Sequence, residues 1–275
     1  MSTSAKLYKT KYLLKLPYTI SFLLVILLLC SYTPLGTNYR LKNKITTVTI
    51  DAGHGGKDVG ANYGGAKEKD ITLAVALKLG KELETLLPDV KIVYTRTTDE
   101  FIELHERANI ANKNNADLFV SIHCNANKKT DVFGTETFSM GVHKSEGNLD
   151  VARRENNVIL LEKNYEEQYE GFDPNSPEAH IYFSFLQNAY LDQSLRLAAK
   201  IEKNFTDINR TSRGVKQAGF LVLWRCKMPS ILIETGFISN AKERAFLTSE
   251  SGQDKLSKSI ANAIKDYKLA VEKDN

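Results

Sequence analysis

The stretch ITTVTIDAGHGGKDVGANYGGAKEKDITLAVALKLGKELETLL (residues 45–87) reads as a strand, a glycine-rich turn and an amphipathic helix in one continuous unit. Ile45 to Asp51 is β-branched almost throughout, which suits a pleated, buried strand. Gly53-His54-Gly55-Gly56 then allows a tight backbone turn. From Lys69 to Leu87 the apolar residues Ile71, Ala74, Val75, Leu79, Leu83 and Leu86 recur at helical spacing. The fold class depends on whether this alternation repeats.

It does. Val90 to Thr95 reads as a second strand, Phe101 to Asn115 as a helix, Asp117 to His123 as a third strand and Gly134 to Met140 as a fourth. Toward the C-terminus, Gly219 to Trp224 and Ser230 to Glu234 read as strands, and Asp254 to Val271 as a closing helix. Alternation of this kind predicts an α/β domain, a twisted and mostly parallel sheet with helices on both faces. One stretch, Gly141 to Tyr190, interrupts it. It is polar and acidic at first and apolar around Ile181-Tyr182-Phe183-Ser184-Phe185. A helical insertion is expected there, either a lid or regulatory element or a hairpin packed beside the sheet.

At 275 residues, 42% apolar and 25% charged, the chain suits one domain over residues 45–275, preceded by a head and a linker at 31–44. In the head, Lys6, Lys9, Lys11 and Lys15 precede the apolar run Thr19 to Cys30, whose 12 residues suit an export signal better than a membrane span of ~20. Export is therefore expected, with residues 1–30 a signal peptide or N-terminal anchor. Cleavage, retention and lipidation of Cys30 are all left open, because no A-x-A-like site is present and Leu29 occupies a position where lipoprotein signals want a small residue. Any membrane association is expected through this segment alone. Residues 1–30 hold four lysines and no acids, so the remaining 33 basic and 33 acidic residues balance to zero. A nucleic-acid partner is disfavoured on that charge.

Three cysteines do not make a disulfide framework in a chain this long. Cys124 follows His123 directly, and strand alternation aims the two side chains to opposite faces, so it reads as a small buried residue rather than a ligand. A bridge from Cys226 to Cys124 stays open.

Four residues carry the chemistry: His54 after the first strand, Glu68 at the start of the first helix, and His123 and Glu234 at the ends of apolar strands. In α/β sheets, ligand sites gather beyond the carboxyl ends of strands. Hydrolytic zinc sites commonly use two imidazoles and one carboxylate, leave a position for water, and need a further carboxylate as base. Each residue also has a plainer reading: a structural histidine for His54, a helix cap for Glu68, a strand-end ion pair for Glu234. Their coincidence favours a site. No phosphate-loop pattern competes, since neither G-x-G-x-x-G nor G-x-x-x-x-G-K-[ST] is matched.

These motifs, in this order between Val48 and Asn240, together with Tyr94-Thr95-Arg96-Thr97-Thr98-Asp99, Arg107 with Ala111-Asn112, and Gly134-Thr135-Glu136-Thr137, resemble the zinc-dependent N-acetylmuramoyl-L-alanine amidases of bacteria. The resemblance implies a six-stranded α/β fold and one zinc ion held by His54, Glu68 and His123, with Glu234 as the catalytic glutamate. It implies peptidoglycan as substrate, cut between the lactyl group of muramic acid and the first alanine of the stem peptide, in the cell envelope or periplasm. Related cell-division enzymes insert a helical segment that covers the zinc until a protein activator displaces it, which makes the 141–190 stretch a candidate lid and Glu155 its candidate metal contact.

Further candidates are Arg96, Arg107 and three histidines. Arg96 and Arg107 are placed either against the acidic stem peptide or in ion pairs within the fold. His143 and His180 lie in the insertion, with substrate contact weighed against solvated or packed roles, and His105 is expected at the surface. Two other functions stay in view: a catalytically silent peptidoglycan-binding or activator protein, and a zinc amidase or peptidase for another amide.

Overall fold

The computed structural model describes residues 44–185 and 189–273. The head at 1–30 and the linker, apart from Lys44, lie outside the described residues. Among the described residues, no helix is long and apolar enough to cross a membrane.

The opening unit is strand β1 (Thr47–Ala52), a two-stranded hairpin β2 (Asn62–Tyr63) and β3 (Ala66–Lys67), and helix α1 (Glu68–Leu86). There follow β4 (Lys91–Tyr94), α2 (Leu104–Lys113), β5 (Leu118–Asn125) and β6 (Thr135–Met140). The stretch that interrupts the alternation holds α3 (Glu146–Asn156), a 3-10 turn (Asn157–Leu161), α4 (Tyr165–Gln168) and α5 (Pro177–Phe185). The chain then forms α6 (Leu191–Asp207), β7 (Ser212–Ala218), α7 (Leu221–Trp224), β8 (Ser230–Phe237), α8 (Ala241–Thr248) and α9 (Glu250–Lys273).

Six strands make one sheet in the order β4-β1-β5-β8-β6-β7. The pairs β1–β4, β1–β5, β5–β8 and β6–β7 are parallel and β6–β8 is antiparallel, so the mostly parallel sheet expected from the alternation is present. Successive residues of β5 go to opposite faces. Leu118, Val120, Ile122 and Cys124 enter a core with residues of α1, α6 and α9, among them Leu79, Ile201 and Ile260. Phe119 faces the second core, with Ala108, Phe138, Ala152 and Leu223. Helices therefore cover both faces.

The main correction concerns the strand read over Gly219 to Trp224. That segment is the short helix α7, and the edge strand lies just before it, at Ser212–Ala218. The apolar run Phe220-Leu221-Val222-Leu223 fits either element on hydrophobicity alone. It folds as a buried turn of helix, while the polar sequence Ser-Arg-Gly-Val-Lys-Gln-Ala pairs as an edge strand with β6. Cys124 and Cys226 are both buried and not bridged to each other, which closes that question.

Candidate metal centre

Three strand ends and one helix start meet at a single point. β1 runs into the Gly53-His54-Gly55-Gly56 turn, where His54 adopts a left-handed φ of 61°, a conformation costly for a residue with a Cβ. Two buried arginines hold this turn by its carbonyls. Arg107 donates to Ala52 O (2.7 Å), to His54 O (2.8 Å) and to the Asp51 carboxylate (2.9 Å). Arg96 donates to Ala52 O, Gly53 O and Lys69 O at 2.8–2.9 Å, tying the turn to the start of α1. Asp51 is held in turn by Thr95 and Ser121. Although burial alone opposes ionisation, the Arg107 charge and these hydroxyls hold its carboxyl below the usual range. Arg96 and Arg107 thus brace the loop within the fold, Arg107 with an ion pair to Asp51 and Arg96 through backbone carbonyls. A planar, multi-donor guanidinium meets several backbone carbonyls at once.

His54 presents Nε2 to the site because its Nδ1 is bonded to Asp58 Oδ2 at 2.8 Å, fixing the tautomer from behind. Glu68, the first residue of α1, is anchored through both oxygens: Ala61 N donates to Oε2 and Cys124 N to Oε1, each at 2.8 Å. His123 arrives from β5. Its ring crosses Gly53 so closely that a Cβ there would lie 2.4 Å from Nε2, so only glycine fits.

A fourth donor comes from the insertion. In α3, Asn148, Val151, Ala152 and Glu155 form one buried face, with Ser145 capping the first turn by accepting from Asn148 N. That face carries the Glu155 carboxylate to the two histidines. Glu68 Oε1 lies 3.1 Å from His54 Nε2 and 3.3 Å from His123 Nδ1. Glu155 Oε2 lies 3.4 Å and 3.1 Å from the same two atoms. Four donors at ~2.0–2.1 Å around one tetrahedral ion would stand about 3.3–3.4 Å apart. His54 Nε2, His123 Nδ1 and Glu155 Oε2 are buried and make no hydrogen bond, because they face a common centre rather than one another. The donor set and its spacing fit a divalent metal ion.

The electrostatics agree. Burial alone lowers the proton affinity of the imidazoles, yet Glu68, Asp58 and Glu155 lift His54 well above the usual histidine range, and Glu155 and Glu68 push His123 up to about 10. Against the opposing effect of burial, the histidines pull Glu68 down to about 2 and Glu155 well below the carboxylate range. With the imidazoles neutral, as metal ligands must be, the two carboxylates leave the cluster negative and attractive to a cation.

Glu234 lies in β8 in register with His123 of the neighbouring strand and is fully buried. Neither carboxylate oxygen has a hydrogen-bond partner among the described residues. Burial, reinforced by the negative charges of Glu155 and Glu68, holds its carboxyl well above the usual range. A cavity of about 290 Å³ opens beside the cluster, lined by His54, Asp58, Glu68, Arg154 and Glu155 among others.

The remaining candidates lie elsewhere. His143 is partly buried before α3 and lines no cavity at the cluster. His180 is fully buried, its Nε2 at 2.9 Å from Pro174 O and its ring against Phe172. His105 is half-buried rather than at the surface, 3.6 Å from Glu162 and beside Tyr169, because the insertion folds over it. Asp58 and Asn125, unmarked in the sequence reading, both matter here. An aspartate four residues after a histidine in a glycine turn was the available signal for Asp58. For Asn125 there was none.

The chain matches the family Amidase_3, described as N-acetylmuramoyl-L-alanine amidase, over residues 48–266. It is 32% identical over 224 residues to the N-acetylmuramoyl-L-alanine amidase AmiA of Salmonella typhimurium, covering 80% of this chain and 75% of that one. The crystal structure of N-acetylmuramoyl-L-alanine amidase from Clostridium difficile 630 superimposes with a TM-score of 0.60 and 29% identity, covering 82% of this chain and 97% of the other. The CwlD amidase from Clostridioides difficile, solved in complex with the GerS lipoprotein, superimposes with a TM-score of 0.59 and 27% identity over 82% of this chain and 99% of its own.

Proposed function

The chain belongs to the Amidase_3 family of N-acetylmuramoyl-L-alanine amidases, and on that premise we propose that it hydrolyses the amide between N-acetylmuramic acid and the first alanine of the peptidoglycan stem peptide. In this reading it is exported, acts in the bacterial cell envelope, and serves wall remodelling or daughter-cell separation. The observation that carries it is the four-donor cluster at 3.1–3.4 Å beside an unpartnered, buried Glu234.

His54, Glu68 and His123 would hold one zinc ion, which when bound acidifies water and polarises a carbonyl. Asp58 keeps His54 in the ligating tautomer. Glu234, raised in proton affinity and without a competing partner, takes a proton from the attacking water and returns it to the leaving alanine nitrogen. Glu155 occupies the corner that water and substrate need, so the α3–α5 segment is a lid and this is the closed form. A protein activator that moves α3 would open it. The GerS lipoprotein found with the CwlD amidase supports a protein partner in this family.

Digestion of purified peptidoglycan tests the reading, with mass spectrometry of the released ends. Stem peptides with a free N-terminal alanine are expected with zinc and lost on chelation and in Glu234→Ala. Products with other ends would point to a different amide. Binding without release, even in Glu155→Ala, would make the chain a silent binding protein.

A further inference from the structure

With Arg96 and Arg107 committed to the loop, other cations must meet an acidic peptide. A second cavity of about 750 Å³ shares Ala126, Arg154 and Asn157 with the one at the cluster. Six of its lining residues are basic, including Arg154, Arg213 and Lys216, against only Glu136 and Asp150.

The sheet places these groups in a line with the chemistry. β5 pairs His123 with Glu234 of β8, and β8 pairs Glu234 with Glu136 of β6. Directly paired residues share a face, so the three side chains form one row. Beyond them, β6 and β7 shift register between Thr135 and Thr137, which leaves Glu136 alongside the two residues Arg213 and Gly214. Glu136 is buried and accepts from Arg213 Nε and Lys216 Nζ on one oxygen and from Asn125 Nδ2 on the other. Arg213 also lies over the Phe237 ring at 5.3 Å. The arginine is therefore held at its Nε and its face while its terminal amines, given no acceptor among the described residues, stay available. Asn125 Oδ1 accepts from Arg154 at 2.6 Å, bringing a third cation and second guanidinium to the same place.

We propose that Arg213 and Lys216, organised by Glu136, form a subsite for a free carboxylate of the stem peptide downstream of the scissile alanine. This deepens the amidase reading and rests on it. Two inter-strand steps of ~4.8 Å separate the Glu234 position from the Arg213 strand, a span of roughly 10 Å. At ~3.3–3.6 Å per extended residue, the recognised carboxylate falls within about three residues of the cleaved bond. A guanidinium with two free amines suits a carboxylate better than an amide, because the bond is charge-assisted.

Calorimetric titration of the full chain with two synthetic stem peptides tests this, one with free carboxylates and one with every carboxylate amidated. The acidic peptide is expected to bind about tenfold more tightly or better, the order of a charge-assisted hydrogen bond. Arg213→Gln and Lys216→Gln are each expected to erase the difference while leaving the amidated peptide's affinity unchanged; melting curves show each variant folded, with the midpoint lowered by the loss of one of the two cations on buried Glu136. Equal binding of the two peptides, no binding of either, or selectivity that survives both variants would overturn the subsite. The peptidoglycan digest run in parallel separates the two claims. Selective binding with no digestion even in Glu155→Ala would sink the amidase reading, whereas digestion without selectivity would sink only the subsite.

Discussion

Glu155 brings its carboxylate oxygen to 3.1 Å from Nδ1 of His123, as close as Glu68 comes to His54. Two glutamates therefore stand equivalently to the imidazoles, but one starts a helix of the main fold and the other belongs to the insertion. Their substitutions are expected to act in opposite directions. Glu68→Ala should lower metal affinity at least tenfold and abolish hydrolysis, since it removes an anchored ligand. Glu155→Ala should keep the metal and raise peptidoglycan hydrolysis about tenfold, the size of a modest coupling between lid and site. Metal content by atomic emission beside a turnover assay decides it, and a fall in turnover for Glu155→Ala would refute the lid.

Glu234→Gln is nearly the same size and removes only the ability to carry a proton. Hydrolysis should drop by about 10²–10⁴-fold, the usual worth of a positioned acid–base group. Zinc content and thermal midpoint should stay at the wild-type level. Metal loss in this variant would reassign Glu234 as a ligand.

Asp58 touches the cluster only through the far nitrogen of His54. Asp58→Ala frees that tautomer, and metal affinity is expected to fall about 10–100-fold with the fold intact. Competition with a fluorescent chelator measures it. An unchanged affinity would mean that the loop alone orients His54.

Chelation changes how stability depends on pH. In the metal-free cluster the His123 imidazole is raised from 6.5 to about 10, and His54 moves in the same direction. A raised histidine stabilises fully below its unfolded value and loses that contribution as pH climbs through the folded one. The chelated protein should therefore lose thermal stability between pH 6.5 and about 10, while the zinc-loaded protein, whose imidazoles are already neutral ligands, should not show that loss. Melting curves at both ends of the window check the sign.

The alternation of strands and helices, and the strand-end positions of His54, His123 and Glu234, were legible because hydrophobic period and glycine punctuation are local properties. The destinations of Arg96 and Arg107 were not, since a long cation reads the same whether it meets solvent, a ligand or a row of carbonyls. β7 was missed for a related reason. An edge strand with Arg213 and Lys216 on it has little apolar pattern, and its pairing with β6 supplies what its own residues lack. Asn125 acquires its place only from contacts with Arg154 and Glu136, 29 and 11 residues away.

The row formed by His123, Glu234 and Glu136 depends on three strands keeping step. Because side chains alternate between faces, one residue inserted or deleted within β8 ahead of Glu234 would turn its carboxylate into the apolar core behind the sheet and bring an isoleucine or threonine forward in its place. The central strand therefore cannot change length by a single codon, which makes β8 a segment where in-frame insertions should be poorly tolerated.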